Sequence, residues 1–371
     1  HPNALRYECA AMLAFGAKCS VGDQLHPEGR LEKSTYDLVG AAYAEVEQKE
    51  AWCRNVTPVT DVGLLSSEAL DPATRRNNQA DTGAARILLE GQILFDVLDA
   101  EMDFSPYKVL VLPDRIRIDS DLKKKLDAYV ADGGKLLLTG TSGLTPDNSG
   151  FAFDIGAEWE GESPFKPDFV RPREDMAPSF VSDPFVMYAH GQRIRVTSGD
   201  SLGDVHDPYF NRAHNHFCSH QHAPPRPEPS GYACGVRHGS FAYLAHPVFT
   251  VYAALGAVAY KEYVLNVLGH LLDGAETVRA ELPSDARVSL MAQPDEGRYV
   301  LHVLYANKMS RGGVMDLTAG EGGRKSRPVE VIEELMPLEN TPVEVRLPGK
   351  VQRITLEPQG TAVDFEETDD G

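Results

Sequence analysis

Two hydrophobic periods run along this chain, and the elements it predicts change where the period changes. Ala4, Leu5, Cys9, Met12, Leu13 and Phe15 recur at helical spacing, and so do Tyr36, Val39, Tyr43 and Val46 within residues 31–52. Between them Ala17–Val21 reads as a short apolar strand that runs into the polar loop Gly22–Pro27. Asn55–Pro58 reads as a linker. Short, nearly all-apolar runs then alternate with helices. DVGLLS (61–66), YKVLVLP (107–113) and KLLLT (135–139) read as buried strands, and 82–102 and 119–131 as helices. Thr82 or Asp81 is the expected N-cap of the first helix, and Gly133-Gly134 stops the second. Residues 148–229 are poorer in pattern, with 193–197 as the one strand. Residues 240–246 then read as a strand and 248–272 as a helix. From about Thr277 the period is two, with strands expected at 287–292, 298–305, 329–335, 343–347, 351–356 and 361–365.

This order implies an α/β fold: a doubly wound, mostly parallel sheet, followed by a small β-sandwich. Helix, strand, polar loop, helix at the start is the repeat of a (β/α)8 barrel, and one such unit is too small to stand alone. Either this segment packs on the next domain, or most of a barrel is missing upstream; residues 1–55 are expected to be a barrel remnant. Residues 56–276 are expected to form the α/β domain, and 277–371 the sandwich.

Composition narrows the classes. No apolar run reaches the roughly 18 residues that a membrane span needs. The net charge of −19 argues against nucleic acid and anionic membranes as partners, and is compatible with a neutral ligand such as a sugar. Five cysteines, odd in number and without a CxxC pair, point to reduced thiols and a cytoplasmic location. The acidic end 366–371 reads as a solvated tail.

Three groups of residues offer chemistry. His206, His214, His216, His220 and His222 fall within seventeen residues. In HNHFCSHQH (214–222) the His and Cys residues alternate, so an extended chain points them one way. His214, His216, Cys218 and His220, with Asp207 as an addition, are the candidate set for zinc or copper. A straight strand would space them about 6–7 Å apart, too far for one ion unless the chain bends. Without metal, they are hydrogen-bonding and packing groups. Second, Gly140-Thr141-Ser142-Gly143 follows a predicted strand, where the class I glutamine amidotransferase-like fold carries a nucleophile elbow, normally with Cys. Here Ser142 would have to act, with His246, and no acid stands two residues from that histidine; a plain turn is the simpler expectation. Third, Asp23, Gln24 and His26, with Glu28, follow the first predicted strand, where a barrel would place pocket residues; as bare residues they read as turn and capping groups. Trp52 and Trp159 are able to stack on sugars, or to pack in a core or interface.

The order of barrel-end helices, amidotransferase-like (or flavodoxin-like) domain without the nucleophilic cysteine, and small sandwich resembles the C-terminal half of glycoside hydrolase family 42 β-galactosidases and their α-L-fucosidase-like relatives. DVGLLSSEAL, YKVLVLPDRIRID, GGKLLLTGTSGL and HPVFTVYAALGAVAYKEYVLNVLGHLL carry the likeness to their trimerisation domain; AAMLAFGAKCSVGDQLHPEGRLEKSTYDLVGAAYAEVEQKEAW carries it for the barrel end. RYVLHVLYAN and VRLPGKVQRITLEPQGTAVDFE carry it for the sandwich. The resemblance implies a homotrimer, a carbohydrate substrate and no cofactor. In the family two Glu residues on earlier barrel strands do the chemistry; neither has a counterpart here, so no catalytic residue carries over. Asp23, Gln24, His26, His216, His220 and His222 would then lie on the rim of a sugar pocket. The rival readings are a stand-alone hydrolase using Ser142 and His246, and a metal-binding protein centred on residues 214–222.

Overall fold

Five short strands lie parallel in the computed structural model, which describes residues 1–70, 78–317 and 325–368. Across the sheet they run Phe95–Leu98, Val62–Leu65, Val109–Leu112, Lys135–Thr139, Phe241–Leu244. Numbered along the chain this is the order 2-1-3-4-5 of flavodoxin-like folds. Gly235–His238 and Asp200–Ser201 add antiparallel strands at one side, making seven. Val62–Leu65 and Val109–Leu112 are buried at every position, because helices cover both faces and the strands have no wet side. Val109 and Val111 pack with the helices Gln79–Glu90, Val248–Leu255 and Val258–Leu272; Leu110 and Leu112 pack with Ser120–Ala131 on the other face. Asp119 caps that last helix, its Oδ1 accepting from the amides of Asp121 and Leu122 at 3.1 and 2.9 Å.

Several expectations needed correction. The helix expected over 82–102 ends at Glu90, and Phe95–Leu98 is a strand at the sheet edge. Gly91 packs so tightly on Leu265 that a Cβ would lie 2.6 Å from it, and Gln92 takes a left-handed φ of 53°. The chain turns there, and the following apolar residues regain backbone bonds by pairing with Val62–Leu65. Neither Thr82 nor Asp81 caps this helix; Asn78 precedes it, and the Asp81 carboxylate instead accepts from Ser66 Oγ and Ser67 at 2.7–3.0 Å. The helix expected over 248–272 is two helices, parted at Gly256 with φ 64°. Residues 157–206 hold more strands than the pattern shows: Ala157–Glu162, Asp168–Pro172, Phe185–Met187 and Gly203–His206 join Gln192–Val196.

The chain divides into two compact units, residues 60–276 and residues 1–59 with 277–371. In the second, the helices Pro2–Ala14 and Lys33–Lys49 belong with the C-terminal hairpin. Ala17–Val21 forms no strand. Thr57–Val59, within the expected linker, is a strand antiparallel to Arg287–Gln293, which pairs in turn with Arg298–Leu304. Gln293 Nε2 donates to the carbonyls of Ala51 and Arg54 at 3.0 and 2.6 Å, and Ser289 Oγ donates to Ala14. The remaining strands pair in twos: Val278–Ala280 with Val343–Val345, Met309–Arg311 with Val329–Val331, Ile354–Leu356 with Thr361–Val363. The last three residues of the acidic tail, 369–371, lie outside the described residues.

Candidate functional site

The unit 60–276 holds a buried polar seam. His246 follows the strand Phe241–Leu244, and Asp168 opens Asp168–Pro172. His246 Nε2 stands 3.5 Å from Asp168 Oδ2, and the two side chains are 2% and 0% exposed. A Cβ on Gly191 would lie 2.4 Å from His246 Nε2, so only glycine lets the backbone approach this ring. Burial pushes the Asp168 carboxyl up, but the neighbouring His246, with Ser163 and Arg193, outweighs it and holds its pKa below the ordinary value. Arg193, 5% exposed, bonds Asp207 Oδ1 at 2.6 Å and Ser230 Oγ at 3.2 Å, with its guanidinium 4.8 Å from the Tyr232 ring centre. A buried charge with that many partners is anchored.

Asp207 also begins the histidine-rich loop. Its carbonyl accepts from Arg226, Tyr209 donates to the Pro224 carbonyl, and His206 Nδ1 lies 3.0 Å from the Arg226 carbonyl, so the loop 207–226 is closed at its base. Ala213 and His216 exchange backbone bonds across a tight turn. That turn breaks the extended alternation that would have aligned His214, His216, Cys218 and His220. His216 stacks on Phe210 at 3.9 Å between ring centres. His222 sits edge-on to Phe169 and Tyr188, its Nε2 3.1 Å from the Tyr188 hydroxyl. Cys218 Sγ turns back to the His222 carbonyl at 3.3 Å. His214 and His220 are exposed, as is Phe217 at 65%. Among the described residues no three His, Cys, Asp or Glu side chains are placed to hold a metal ion, so the expected ligand set is not brought together.

Ser142 is fully buried, and its Oγ accepts from the Ile116 amide at 2.9 Å. Thr141 donates twice to the Asp114 carbonyl, and Asp114 Oδ2 accepts from the amide and hydroxyl of Thr250 at 2.6 and 2.7 Å. The Gly140–Gly143 turn therefore ties the sheet to the helix Val248–Leu255. It offers no exposed nucleophile, and the acid beside His246 is Asp168, drawn from a distant strand. Asp23 and Gln24 are exposed in the other unit. His26, half-buried beside them, closes a turn: its Nδ1 accepts from the Glu28 amide at 3.3 Å, and its carbonyl accepts from Gly29 at 2.7 Å. Trp159 Nε1 donates to Gln192 at 2.9 Å, and Trp52 lies under Arg298, 5.7 Å from its ring centre. Asp168, Arg193 and Tyr188 were not visible as candidates, since no local spacing marks them.

Comparison with known proteins follows the same lines. The family described as β-galactosidase trimerisation domain matches residues 86–154. The solved α-L-fucosidase isoenzyme 2 from Paenibacillus thiaminolyticus is 42% identical, with a TM-score of 0.89, over 99% of this chain and 54% of its own. β-Galactosidase GanA of Bacillus subtilis (strain 168) is 29% identical over 154 residues, 40% of this chain and 23% of its own. The β-galactosidase from Bacillus circulans sp. alkalophilus shares the fold at 14% identity and a TM-score of 0.54, over 83% of this chain and 45% of its own. The chain thus spans about half the length of the solved relatives, and under a quarter of GanA. Residues 86–154, which match the β-galactosidase trimerisation family, lie within the unit 60–276, and the chain as a whole is similar to the C-terminal half of family-42-like glycosidases. No helix among the described residues is long and apolar enough to cross a membrane.

Proposed function

We propose that this chain is the assembly and pocket-completing portion of a glycoside hydrolase acting on α-L-fucosides, with the catalytic carboxylates outside it. The likeness to the fucosidase over 99% of the chain carries this reading. A β-galactoside is the second reading, supported by the family match and by GanA. On this proposal residues 1–55 are the end of a (β/α)8 barrel, 277–371 are the small β-sandwich, and the assembly is a homotrimer. The loop 207–226 supports the pocket-completing role, because its base is pinned by Arg193–Asp207 while His214, Phe217 and His220 face outward. The rim positions proposed within the unit 1–59 with 277–371 are Asp23, Gln24 and His26, and those within the unit 60–276 are His216, His220 and His222 of the loop. Five free cysteines support a cytoplasmic setting.

The test is hydrolysis of p-nitrophenyl α-L-fucoside and β-D-galactoside by the chain and by a longer polypeptide that contains it. Fucoside hydrolysis by the longer protein alone is the expected result. Galactoside hydrolysis alone would select the second reading. Turnover by the chain itself, lost in Ser142→Ala, would overturn both.

A further inference from the structure

The five cysteines are scattered in sequence, yet three gather in the unit formed by residues 1–59 and 277–371. Cys9 lies on the helix Pro2–Ala14 and is 1% exposed. That helix ends in a reversal at Gly16, φ 75°, where the Gly16 and Ala17 amides donate to the carbonyls of Leu13 and Met12 at 3.0 and 2.8 Å. The reversal folds the chain back along the helix and delivers Cys19 beside Cys9. Cys19 Sγ donates to the Cys9 carbonyl at 3.4 Å, which brings its thiol alongside the Cys9 residue, and Cys19 contributes to the raised pKa of the Cys9 thiol. Cys53, just after the turn Glu50–Trp52, is near enough to interact with Cys19 electrostatically. All three are free, and Cys19 and Cys53 are half-buried.

We propose that Cys9 and Cys19 are a redox-responsive pair that closes to a disulfide on exposure to a small-molecule disulfide such as oxidised glutathione. Cys19 is the accessible member and is attacked first. Its thiolate attacks one sulfur of the oxidant, expels one small thiolate and is left as a mixed disulfide. The Cys9 thiol then gives up its proton, attacks the Cys19 sulfur and expels the second small thiolate. Two protein thiols are oxidised to one disulfide, and one small disulfide is reduced to two thiols. Burial, with Cys19 beside it, raises the Cys9 pKa, and burial likewise raises that of Cys53. Cys9 is 1% exposed and Cys19 half-buried, so the oxidant reaches Cys19 first and Cys9 is the resolving thiol. The bond would pin the start of the irregular segment 17–32, which carries Asp23, Gln24 and His26.

The purified chain is incubated with oxidised glutathione and quenched in acid. Its thiols are counted after denaturation, and the linked peptides are mapped by mass spectrometry. The five thiols should fall by two, with Cys9 and Cys19 found in one cross-linked peptide and both restored by dithiothreitol. Cys9→Ser should instead hold glutathione on Cys19, and Cys19→Ser should leave Cys9 and Cys53 reduced. An unchanged thiol count, or a bond running through Cys53, Cys218 or Cys234, overturns the proposal. Mapping the unaltered protein decides the matter even if the buried Cys9→Ser variant fails to fold. No glycoside enters the measurement, so its outcome is separate from that of the hydrolase reading.

Discussion

His302, on the strand Arg298–Leu304, has its Nε2 buried with no hydrogen-bond partner among the described residues, and burial, helped by the nearby Lys49 charge, pushes its pKa down to about 4 from 6.5. The unfolded chain takes up this proton near pH 6.5, whereas the folded one resists it until about pH 4. Stability is therefore undiminished above pH 6.5 and falls as the pH drops from there toward 4, by on the order of 3 kcal/mol in all. Urea unfolding of the unit 1–59 with 277–371 should show that loss between pH 7 and pH 4.5, and His302→Leu should flatten it. Equal pH slopes in both proteins would refute the assignment. At this scale the sequence showed which side chains have chemistry but not which are paired. His246 was legible as a candidate, and its acid was sought two residues away. Asp168 supplies it from another strand, and nothing in the spacing of the two marks the contact. The same holds for His216 and His222, whose rings are held by Phe210, Phe169 and Tyr188 and do not converge with their histidine neighbours.

Helix packing gives a sharper test among the elements. Gly83 lies where Gln79–Glu90 meets Val248–Leu255, and a Cβ there would stand 2.0 Å from the Phe249 carbonyl oxygen. Backbone cannot yield as a side-chain tip does, so Gly83→Ala should cost more than about 2 kcal/mol in chemical unfolding of the unit 60–276. Gly269, on Val258–Leu272, has open space around its missing Cβ. Gly269→Ala should raise stability by about 0.5–1 kcal/mol through helix propensity. Equal effects at both positions would show that propensity, not contact, governs them. Elements were legible where one period dominated: the strands 62–65, 109–112 and 135–139 and the helix 120–131 fall where the pattern put them. They were misread at 82–102, because an apolar stretch satisfies helix and buried strand alike. The turn at Gly91-Gln92 is fixed by Leu265, which no local window contains.

For the whole molecule, the expected assembly is a trimer of 40.6 kDa chains, so light scattering should give three times that mass at physiological salt. Each chain carries a charge of −19, so like-charge repulsion should weaken the trimer as salt is lowered. A monomer at every salt concentration would remove the assembly role. The sequence by itself determined the order of apolar runs, and hence the α/β class and the parallel core, because burial on both faces demands continuous hydrophobic strands whatever surrounds them. It also carried the resemblance to family 42 enzymes, which rests on short segments that survive in linear order. Only the tertiary structure decided that the N-terminal helices belong with the C-terminal hairpin, that Asp168 answers His246, and that Cys9, Cys19 and Cys53 gather. Each of these depends on where distant backbone is delivered by turns and packing, and side-chain periodicity reports only the face on which a residue lies, not the residue it will meet there.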